Sequence, residues 1–425
     1  MRRNALKISQ IGFVVVLLAS VVAATLARAQ NSPSASADDT ARYLAGMQPS
    51  ANSPLLPLTQ DPTAKQHAAY FDTAFGNIEP KLSKIRAWSA ANLNAPKPAM
   101  FYMFGGPDFI YADAFFPNAT TYVLSGLEPV GQIPDLLKMP RWSVAQGLRQ
   151  IQGTLRSVLT VSYFITVDMY RDLNAGPVSG TLPILYVFLA RSGKVIHDVS
   201  LVHLDEQGAL QPGDGTRPWS PARGVKIIFS EKDGPQKTLY YFSGNLADNR
   251  GRINPVLQFC KSLGQGDSFI KSASYLLHMA NFTQVRDFIL DNSAAILQDD
   301  TGVPLAYLNT AKWKLRAFGR YVTPIFPAFY QPKLNEFFQR TQPAPIDFGI
   351  GYRWRPNESN LLLAVRDPDA PEVTGSISQS EAPRNIESRT ADVARRPVYR
   401  SPTPPKAEPP FIPFPFFFFL LPPPQ

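Results

Sequence analysis

The sequence contains only one cysteine, Cys260, among 425 residues. A single thiol cannot form a disulfide within the chain, so the fold must be stabilised by burial of apolar surface and not by crosslinks. The apolar residues Val256, Leu257 and Phe259 precede it and predict a buried thiol, because a free cysteine behaves as a small hydrophobic residue. A nucleophilic cysteine would need a histidine partner, and none lies near Cys260 in the sequence.

Histidine is also scarce, and the four in the chain are His67, His197, His203 and His278. No H-E-x-x-H, Cys-x-x-Cys or EF-hand spacing occurs, so the sequence predicts neither a metal site nor a cofactor. His197 and His203 lie about 20 Å apart along one predicted strand, too far to share a metal ion. The G-x-S-x-G and Walker motifs are absent too, and catalysis would need a group assembled from distant residues.

The chain lacks a dense block of lysine and arginine. Its formal charge is +9, and positions 41–365 carry 31 basic and 24 acidic residues. Nucleic-acid binding normally requires clustered positive charge, so the sequence predicts no nucleic-acid partner. The charge favours solubility, with weak attraction to anionic envelope surfaces as the alternative.

The first 29 residues have the pattern of a cleaved signal peptide. Arg2, Arg3 and Lys7 precede an apolar run from Ile11 to Leu26, and Ala27–Ala29 offers a small-x-small cleavage site. The run is shorter than the roughly 20 residues of a membrane span, which disfavours an uncleaved anchor. The arginine pair resembles a twin-arginine signal, but the strongly apolar run favours the general secretory route. We therefore expect a periplasmic or secreted protein.

Composition divides the rest of the chain into three parts. Residues 30–40 predict a flexible linker, and residues 41–365 predict a globular body, since 44% of the chain is hydrophobic and 12% aromatic. Residues 366–425 hold 14 of the 41 prolines and predict a disordered tail. The tail ends in the aromatic stretch Phe411–Leu421, which either contacts a membrane surface weakly or has no function.

The body alternates helical and strand patterns in mixed order, which predicts an α/β or α+β domain with three layers, a mixed sheet and flanking helices. Helical patterns begin near Thr63, where Pro80 ends the first, and continue at Lys81–Asn92, Asp108–Phe116, Ser143–Arg171, Pro255–Leu263 and Thr283–Leu290. Strand patterns cover Ala99–Phe104, Thr120–Leu124, Ile184–Ala190, Val195–Leu204, Val225–Phe229, Thr238–Phe242, Asp347–Trp354 and Asn360–Val365. A further hairpin is predicted from Ala294–Leu297 to Pro304–Leu308.

The best candidate for a site is the aromatic block from Phe101 to Gly131, which predicts a strand, a glycine-rich turn, a short helix and a second strand. Open α/β sheets bind ligands at such turns. Glu128 follows the second strand, where a Rossmann-type sheet places an acid on a ribose hydroxyl, although the block lacks G-x-G-x-x-G. The alternative is plain packing, with Asp108 at a helix start. The candidate ligand-binding residues are Gly105, Gly106, Asp108, Tyr111, Asp113 and Glu128.

Asp300-Thr301-Gly302 matches the triplet of aspartic proteases. Their mechanism needs two carboxylates that share a proton. The chain has no second such triplet, so catalysis would require a symmetric dimer. Aspartate and glycine are also typical of hairpin turns, and this simpler interpretation is favoured.

The segments Gly106–Phe109, Phe115–Pro117 and Tyr122–Pro129 together resemble a family of uncharacterised secreted bacterial proteins. The resemblance extends through Gln298–Gly302 to Ser359–Leu363. It implies no known reaction.

These patterns favour an exported α/β protein that binds an unknown small ligand or an envelope protein. One alternative is a cryptic hydrolase or transferase that uses Asp108, Asp113 or Glu128. Another is a structural envelope protein tethered by its C-terminal tail.

Overall fold

The computed structural model describes residues 35–93, 95–164, 173, 176–213, 222–249 and 251–369. The predicted signal peptide, the first part of the predicted linker and nearly all of the predicted tail, including Phe411–Leu421, lie outside these residues.

The described residues form one ten-stranded mixed sheet with the strand order β4-β3-β5-β6-β2-β1-β7-β8-β10-β9. This confirms the predicted fold class. The five central strands, β6, β2, β1, β7 and β8, are parallel, whereas the outer strands pair antiparallel. The strands are β1 Ala99–Tyr102, β2 Thr121–Gly126, β3 Val195–Leu204, β4 Leu210–Pro212, β5 Ala222–Ser230, β6 Gln236–Ser243, β7 Gly266–Ile270, β8 Ser293–Gln298, β9 Trp313–Gly319 and β10 Asn360–Arg366.

Helices cover both faces of the sheet. Side chains alternate across a strand, and β1 accordingly contributes Met100 and Tyr102 to one core and Phe101 to the other. Helices α1 to α5 pack on the first face and α6 to α8 on the second. They are α1 Ala37–Leu44, α2 Pro62–Asn92, α3 Phe109–Phe115, α4 Arg141–Val161, α5 Leu182–Arg191, α6 Pro255–Ser262, α7 Thr283–Asn292 and α8 Pro332–Thr341.

The chain order reverses between β1 and β7. From β1 the parallel strands continue through β2 to β6 on one side, while β7 and β8 follow on the other. In open α/β sheets, ligands bind outside the carboxyl ends of the strands at such a topological switch point. A ligand site is therefore expected at the loops that follow β1 and β7.

The predicted strand Ile184–Ala190 is wrong, because this segment belongs to helix α5. Leu182 to Ala190 are all buried, so the helix has no polar face. Without that face, periodicity cannot distinguish a buried helix from a buried strand. Pro183 in the first turn is compatible with a helix start.

The predicted break at Pro80 is also wrong, because α2 continues through it. Proline in a helix interior costs about 3 kcal/mol. The helix buries Phe71, Phe75 and Ile78 before the proline and Leu82 and Ile85 after it. Burial of this apolar face on both sides of Pro80 outweighs the local cost.

Two boundaries differ from the prediction. Helix α1 begins at Ala37, inside the predicted linker, because the Ser36 hydroxyl caps it and Asp39 accepts hydrogen bonds from Ser50. Helix α4 ends at Val161, inside the predicted span to Arg171, and is followed by Ser162 at a φ of 70°; positions 165–171 of that span lie outside the described residues.

The predicted hairpin after Ala294 does not form. Strand β8 pairs with β7 and β10, and the segment predicted as its partner contains the short 3-10 helix Leu305–Tyr307. The predicted strand Asp347–Trp354 contains only an isolated bridge between Ile350 and Arg353. Strands β4, β7 and β9 and helices α1 and α8 are elements that the sequence patterns missed.

No helix among the described residues is both long enough and apolar enough to cross a membrane.

Candidate functional site

A buried ion pair joins the loops that follow β1 and β7. The Nζ of Lys271 lies 2.9 Å from the Oδ2 of Asp108, and the two side chains are 1% and 2% exposed. Asp108 occupies the position before α3 but caps no backbone N–H. Its Oδ2 accepts the hydroxyl hydrogen of Tyr102 at 2.9 Å instead. The helix-start interpretation of Asp108 therefore does not account for its carboxylate.

The ammonium group of Lys271 has two further contacts. It donates a hydrogen bond to the backbone carbonyl of Ser162, and it lies 4.2 Å from the ring centre of Tyr111. A cation over an aromatic face is attracted by the ring quadrupole. Its charge also acts on Lys81 of α2, since burial and the Lys271 ammonium lower the pKa of Lys81 to about 8.

Asp299, which follows β8, holds the loop after β7. Its Oδ2 accepts the N–H of Ser272 at 2.9 Å, and its Oδ1 accepts the N–H and the hydroxyl hydrogen of Thr301 at 3.0 and 2.5 Å. The Thr301 hydroxyl oxygen in turn accepts the N–H of Ala273 at 2.8 Å. Burial and the charge of Asp300 raise the pKa of Asp299 to about 6.

Asp300 points to the same loop. Its Oδ2 accepts the hydroxyl hydrogen of Tyr275 at 2.8 Å, and burial raises its pKa. The loop is also tied to Tyr352, whose hydroxyl lies 2.9 Å from the Oγ of Ser274 and donates to the carbonyl of Ser272. Two adjacent carboxylates and a tyrosine thus fix one short turn.

The backbone of this turn is strained. Ser272, Ser274 and Tyr275 have φ angles of 54°, 49° and 57°, in the left-handed region that residues with a side chain rarely adopt. Such residues cost about 1 to 3 kcal/mol each and cluster at functional sites. Three of them within four positions mark the turn as a candidate.

Gly351 packs closely against three residues of the site. A Cβ atom at this position would lie 2.5 Å from the Oδ2 of Asp299, 2.9 Å from the Oγ of Ser272 and 3.3 Å from the Cγ of Lys271. Its N–H donates to the Oγ of Ser162 at 2.9 Å. We call Asp108, Lys271, Ser272, Tyr275, Asp299 and Asp300 the carboxyl-edge cluster.

Two buried polar atoms of this cluster have no hydrogen-bond partner among the described residues, the Oδ1 of Asp108 and the Oγ of Ser272. Buried polar atoms are nearly always hydrogen-bonded, and an exception calls for a water, an ion or a functional role. Both atoms lie at the switch point of the sheet.

The predicted ligand-binding residues separate into three groups. Asp108 and Tyr111 contact Lys271, as described. Glu128 packs against Gly106, and its Oε2 accepts the hydroxyl hydrogen of Tyr241 at 3.3 Å; burial raises the pKa of Glu128.

Gly105 serves packing, because a Cβ atom there would lie 2.5 Å from the ring of Tyr102. The N–H of Gly106 donates to the carbonyl of Ser125, so it is not available to a phosphate. The glycine corner is therefore filled by protein atoms.

Asp113 lies at the opposite, amino edge of the parallel strands. Its Oδ1 is 3.0 Å from the Nζ of Lys194, which also lies 2.5 Å from Glu231. Lys237 lies 3.7 Å from Glu231. We call these four residues the amino-edge cluster. Asp108, Asp113 and Glu128 thus do not converge on one point.

The cysteine and two of the histidines are buried or partly buried. Cys260 is buried, as predicted, and burial raises its pKa. Burial lowers the pKa of His67 and of His278 to about 4, so both are neutral at pH 7. Within the described ranges, no group of three or more histidine, cysteine, aspartate or glutamate side chains could hold a metal ion.

Comparison with known protein families, with curated proteins and with solved structures finds no match. The resemblance to secreted bacterial proteins stays a prediction.

Lys271, Ser272, Tyr275 and Asp299 are the site residues that the sequence patterns missed. Lys271 directly follows a short strand with weak strand propensity, and Asp299 precedes the Asp300-Thr301-Gly302 triplet, which predicts a turn. A polar residue at the carboxyl end of each parallel strand was the available signal, but β7 had first to be recognised as a strand.

Proposed function

We propose that this protein binds a small molecule at the carboxyl-edge cluster, and that the bound group is a hydroxyl or an amine. The observation that carries the proposal is the pair of unpartnered atoms, the Oδ1 of Asp108 and the Oγ of Ser272. A carboxylate oxygen only accepts hydrogen bonds, so the ligand must donate. A neutral sugar, a polyol or an amino alcohol has this chemistry.

Binding requires the turn from Ser272 to Tyr275 to move, because the cluster is buried. The turn's left-handed residues and its attachment to Asp299, Asp300 and Tyr352 support this role. A strained turn can adopt a second conformation when the binding of a ligand compensates for the contacts that the turn loses.

A thermal-melting screen with monosaccharides, polyols and amino alcohols tests the proposal. A ligand at one hundred times its Kd stabilises the native state by about 2.7 kcal/mol, which raises the melting temperature by a few degrees. Ser272→Ala should abolish the response, whereas Tyr122→Phe at the amino edge should retain it. The proposal fails if no compound of this class stabilises the wild type, or if Ser272→Ala responds equally.

A hydrolase or transferase is the second candidate, and the position of Ser272 favours it. Ser272 follows a central parallel strand at a left-handed φ of 54°, as nucleophilic serines do. Asp299, with a pKa of about 6, is suited to a general base near neutral pH. However, the N–H of Ala273 donates to Thr301 and is unavailable to a developing oxyanion.

A fluorophosphonate probe separates this candidate from binding alone. An enzyme with Ser272 as nucleophile would be labelled by the probe, and the Ser272→Ala variant would not. Ser274→Ala is the matched control because Ser274 shares the turn and the left-handed backbone. An unlabelled wild type, or equal labelling of both variants, rules out a nucleophilic Ser272.

We further propose that the chain is exported and that residues 1–29 are removed. The basic leader, the apolar run and the Ala27–Ala29 site support this. Fractionation of the producing bacterium and N-terminal sequencing of the mature chain provide the test. A cytoplasmic chain that retains Met1 would contradict the proposal.

A further inference from the structure

Helix α4 presents an exposed row of basic and aromatic side chains. Trp142, Arg149 and Arg156 are all exposed, and Trp142 has 70% of its surface accessible. They are spaced by seven residues, which on a helix returns each side chain to within about 20° of the last. The three therefore form one line about 21 Å long.

The row carries positive charge that nothing in the helix offsets. Helix α4 contains no aspartate or glutamate from Arg141 to Val161. Arg149 and Arg156 form no ion pair with any other residue that the structure describes. Arg141 lies beside the row but shares a small cavity with Asp61, so Arg149 and Arg156 supply the charge of the row.

The opposite face of α4 fixes the row's orientation. Val144, Leu148, Ile151, Leu155 and Val158 are buried against the first core. The helix thus cannot rotate to cover the tryptophan, and the row is exposed among the residues that the structure describes.

We propose that this row, Trp142, Arg149 and Arg156, docks the protein on an anionic phospholipid surface. Guanidinium groups on a membrane-facing helix are attracted to anionic headgroups, and tryptophan partitions to the membrane–water interface because its ring is amphipathic. An exposed helix face that lies along the membrane surface can make both contacts at once. The interaction is independent of the carboxyl-edge cluster and of ligand binding.

Vesicle sedimentation of the full-length chain tests the proposal. The probes are mixed phosphatidylglycerol–phosphatidylcholine vesicles and pure phosphatidylcholine vesicles, at low and at high salt. We expect the wild type to prefer the anionic vesicles and to lose this preference at high salt, because salt screens exposed charges. Arg149→Gln with Arg156→Gln should weaken the preference roughly thirtyfold, and Trp142→Ala should weaken binding further.

The control removes the same charge elsewhere. Lys232→Gln with Lys333→Gln changes two exposed lysines in the β5–β6 turn and in α8, and should weaken the preference less than threefold. Unchanged melting temperatures establish that both double variants fold. Equal weakening by the two double variants overturns the proposal, because net charge alone would then explain binding. Equal binding of wild type to both vesicle types, or tighter binding to duplex DNA than to anionic vesicles, also overturns it.

Discussion

The two edges of the parallel sheet each bury a lysine–aspartate pair, but of these two pairs only the one at the carboxyl edge leaves a carboxylate oxygen without a hydrogen-bond partner among the described residues. At the amino edge, Lys194 lies between Asp113 and the partly exposed Glu231. At the carboxyl edge, one carboxylate oxygen of Asp108 and the hydroxyl of Ser272 have no partner in the part of the chain that the structure describes. Fully satisfied buried charges rigidify a fold, whereas partly satisfied ones require an explanation. Burial of charge alone therefore does not identify a site.

Substitution of the two lysines should give the largest difference between the edges. Lys271→Met leaves the carboxylate of Asp108, 2% exposed, without its counter-charge, which costs about 4 kcal/mol. Lys194→Met should cost less, about 2 kcal/mol, because the carboxylates of Asp113 and Glu231 are 12% and 46% exposed and water can reach them. Urea unfolding measures both values.

Addition of Asp108→Asn to Lys271→Met checks the cause, since the double variant should recover most of the lost stability. A larger loss of stability in Lys194→Met than in Lys271→Met would contradict the idea that the carboxyl-edge ion pair is the less hydrated of the two.

The stability of the carboxyl edge should depend on pH through Asp299. Its folded pKa, about 6, lies above the ordinary value of 3.8, so protonation favours the folded state. The stability that Asp299 contributes by taking up a proton is complete below the unfolded pKa of 3.8 and is lost as the pH rises through about 6. When the pH is lowered from 7 to 5, protonation of Asp299 should therefore raise the free energy of unfolding of the wild type by on the order of 1 kcal/mol. Asp299→Asn should abolish this increase.

Two histidines give this experiment an internal control of opposite sign. His67 and His278 have pKa values lowered from 6.5 to about 4. Their contribution to the free energy of unfolding is therefore complete above pH 6.5 and is lost as the pH falls towards 4. In Asp299→Asn these histidines remain, and denaturation followed from pH 7 to pH 4 should show a steeper loss of stability. Parallel profiles for wild type and variant would contradict the assignment.

Thr301→Val should destabilise the carboxyl edge by about 2 kcal/mol, because the buried N–H of Ala273 loses its acceptor and the Oδ1 of Asp299 loses a hydroxyl donor. The matched amino-edge change is Tyr122→Phe, which removes the hydroxyl that donates to Phe116 at 2.7 Å. It should cost about 1 kcal/mol, because a carbonyl loses one neutral hydrogen bond. Chemical denaturation gives both values, and the reverse order would contradict the idea that Thr301 holds the turn.

The smallest expected effect is a slight gain. Ser272→Gly removes an unpartnered hydroxyl and relieves a left-handed φ of 54°, so we expect about 0.5 kcal/mol of stabilisation in thermal unfolding. Ser162→Gly has a similar φ of 70° but loses the hydroxyl that accepts the N–H of Gly351, and should destabilise. A loss of stability in Ser272→Gly would mean that its hydroxyl contributes to the folded state.

Local patterns predicted the block around β1 and β2 well, because its glycines, prolines and apolar runs determine structure over short distances. They failed at α5, where complete burial removes the periodicity of a helix. They also failed at β7, since Gly266, Asp267 and Ser268 have weak strand propensity and become a strand only between β1 and β8.

The site could be predicted only in part for the same reason. Asp108 and Tyr111 could be predicted, because the turn after β1 that places them is determined by residues close to them in the sequence. Their partner Lys271 reaches them only because the strand before it lies beside β1 in the sheet. Glu128 and Asp113 lie in the same aromatic block as Asp108, yet helix α3 places Asp113 at the other edge. Proximity in sequence therefore overestimated proximity in space.

The position of β1 has a consequence for folding. Met100 pairs with Asp267, so the central strand of the sheet has an open hydrogen-bonding side until residues far along the chain arrive. Distant pairings slow folding because loop closure precedes the contacts that stabilise it. During that interval an unpaired strand edge is a template for aggregation, and a chaperone that binds extended apolar segments would be expected to engage Ala99–Tyr102 first.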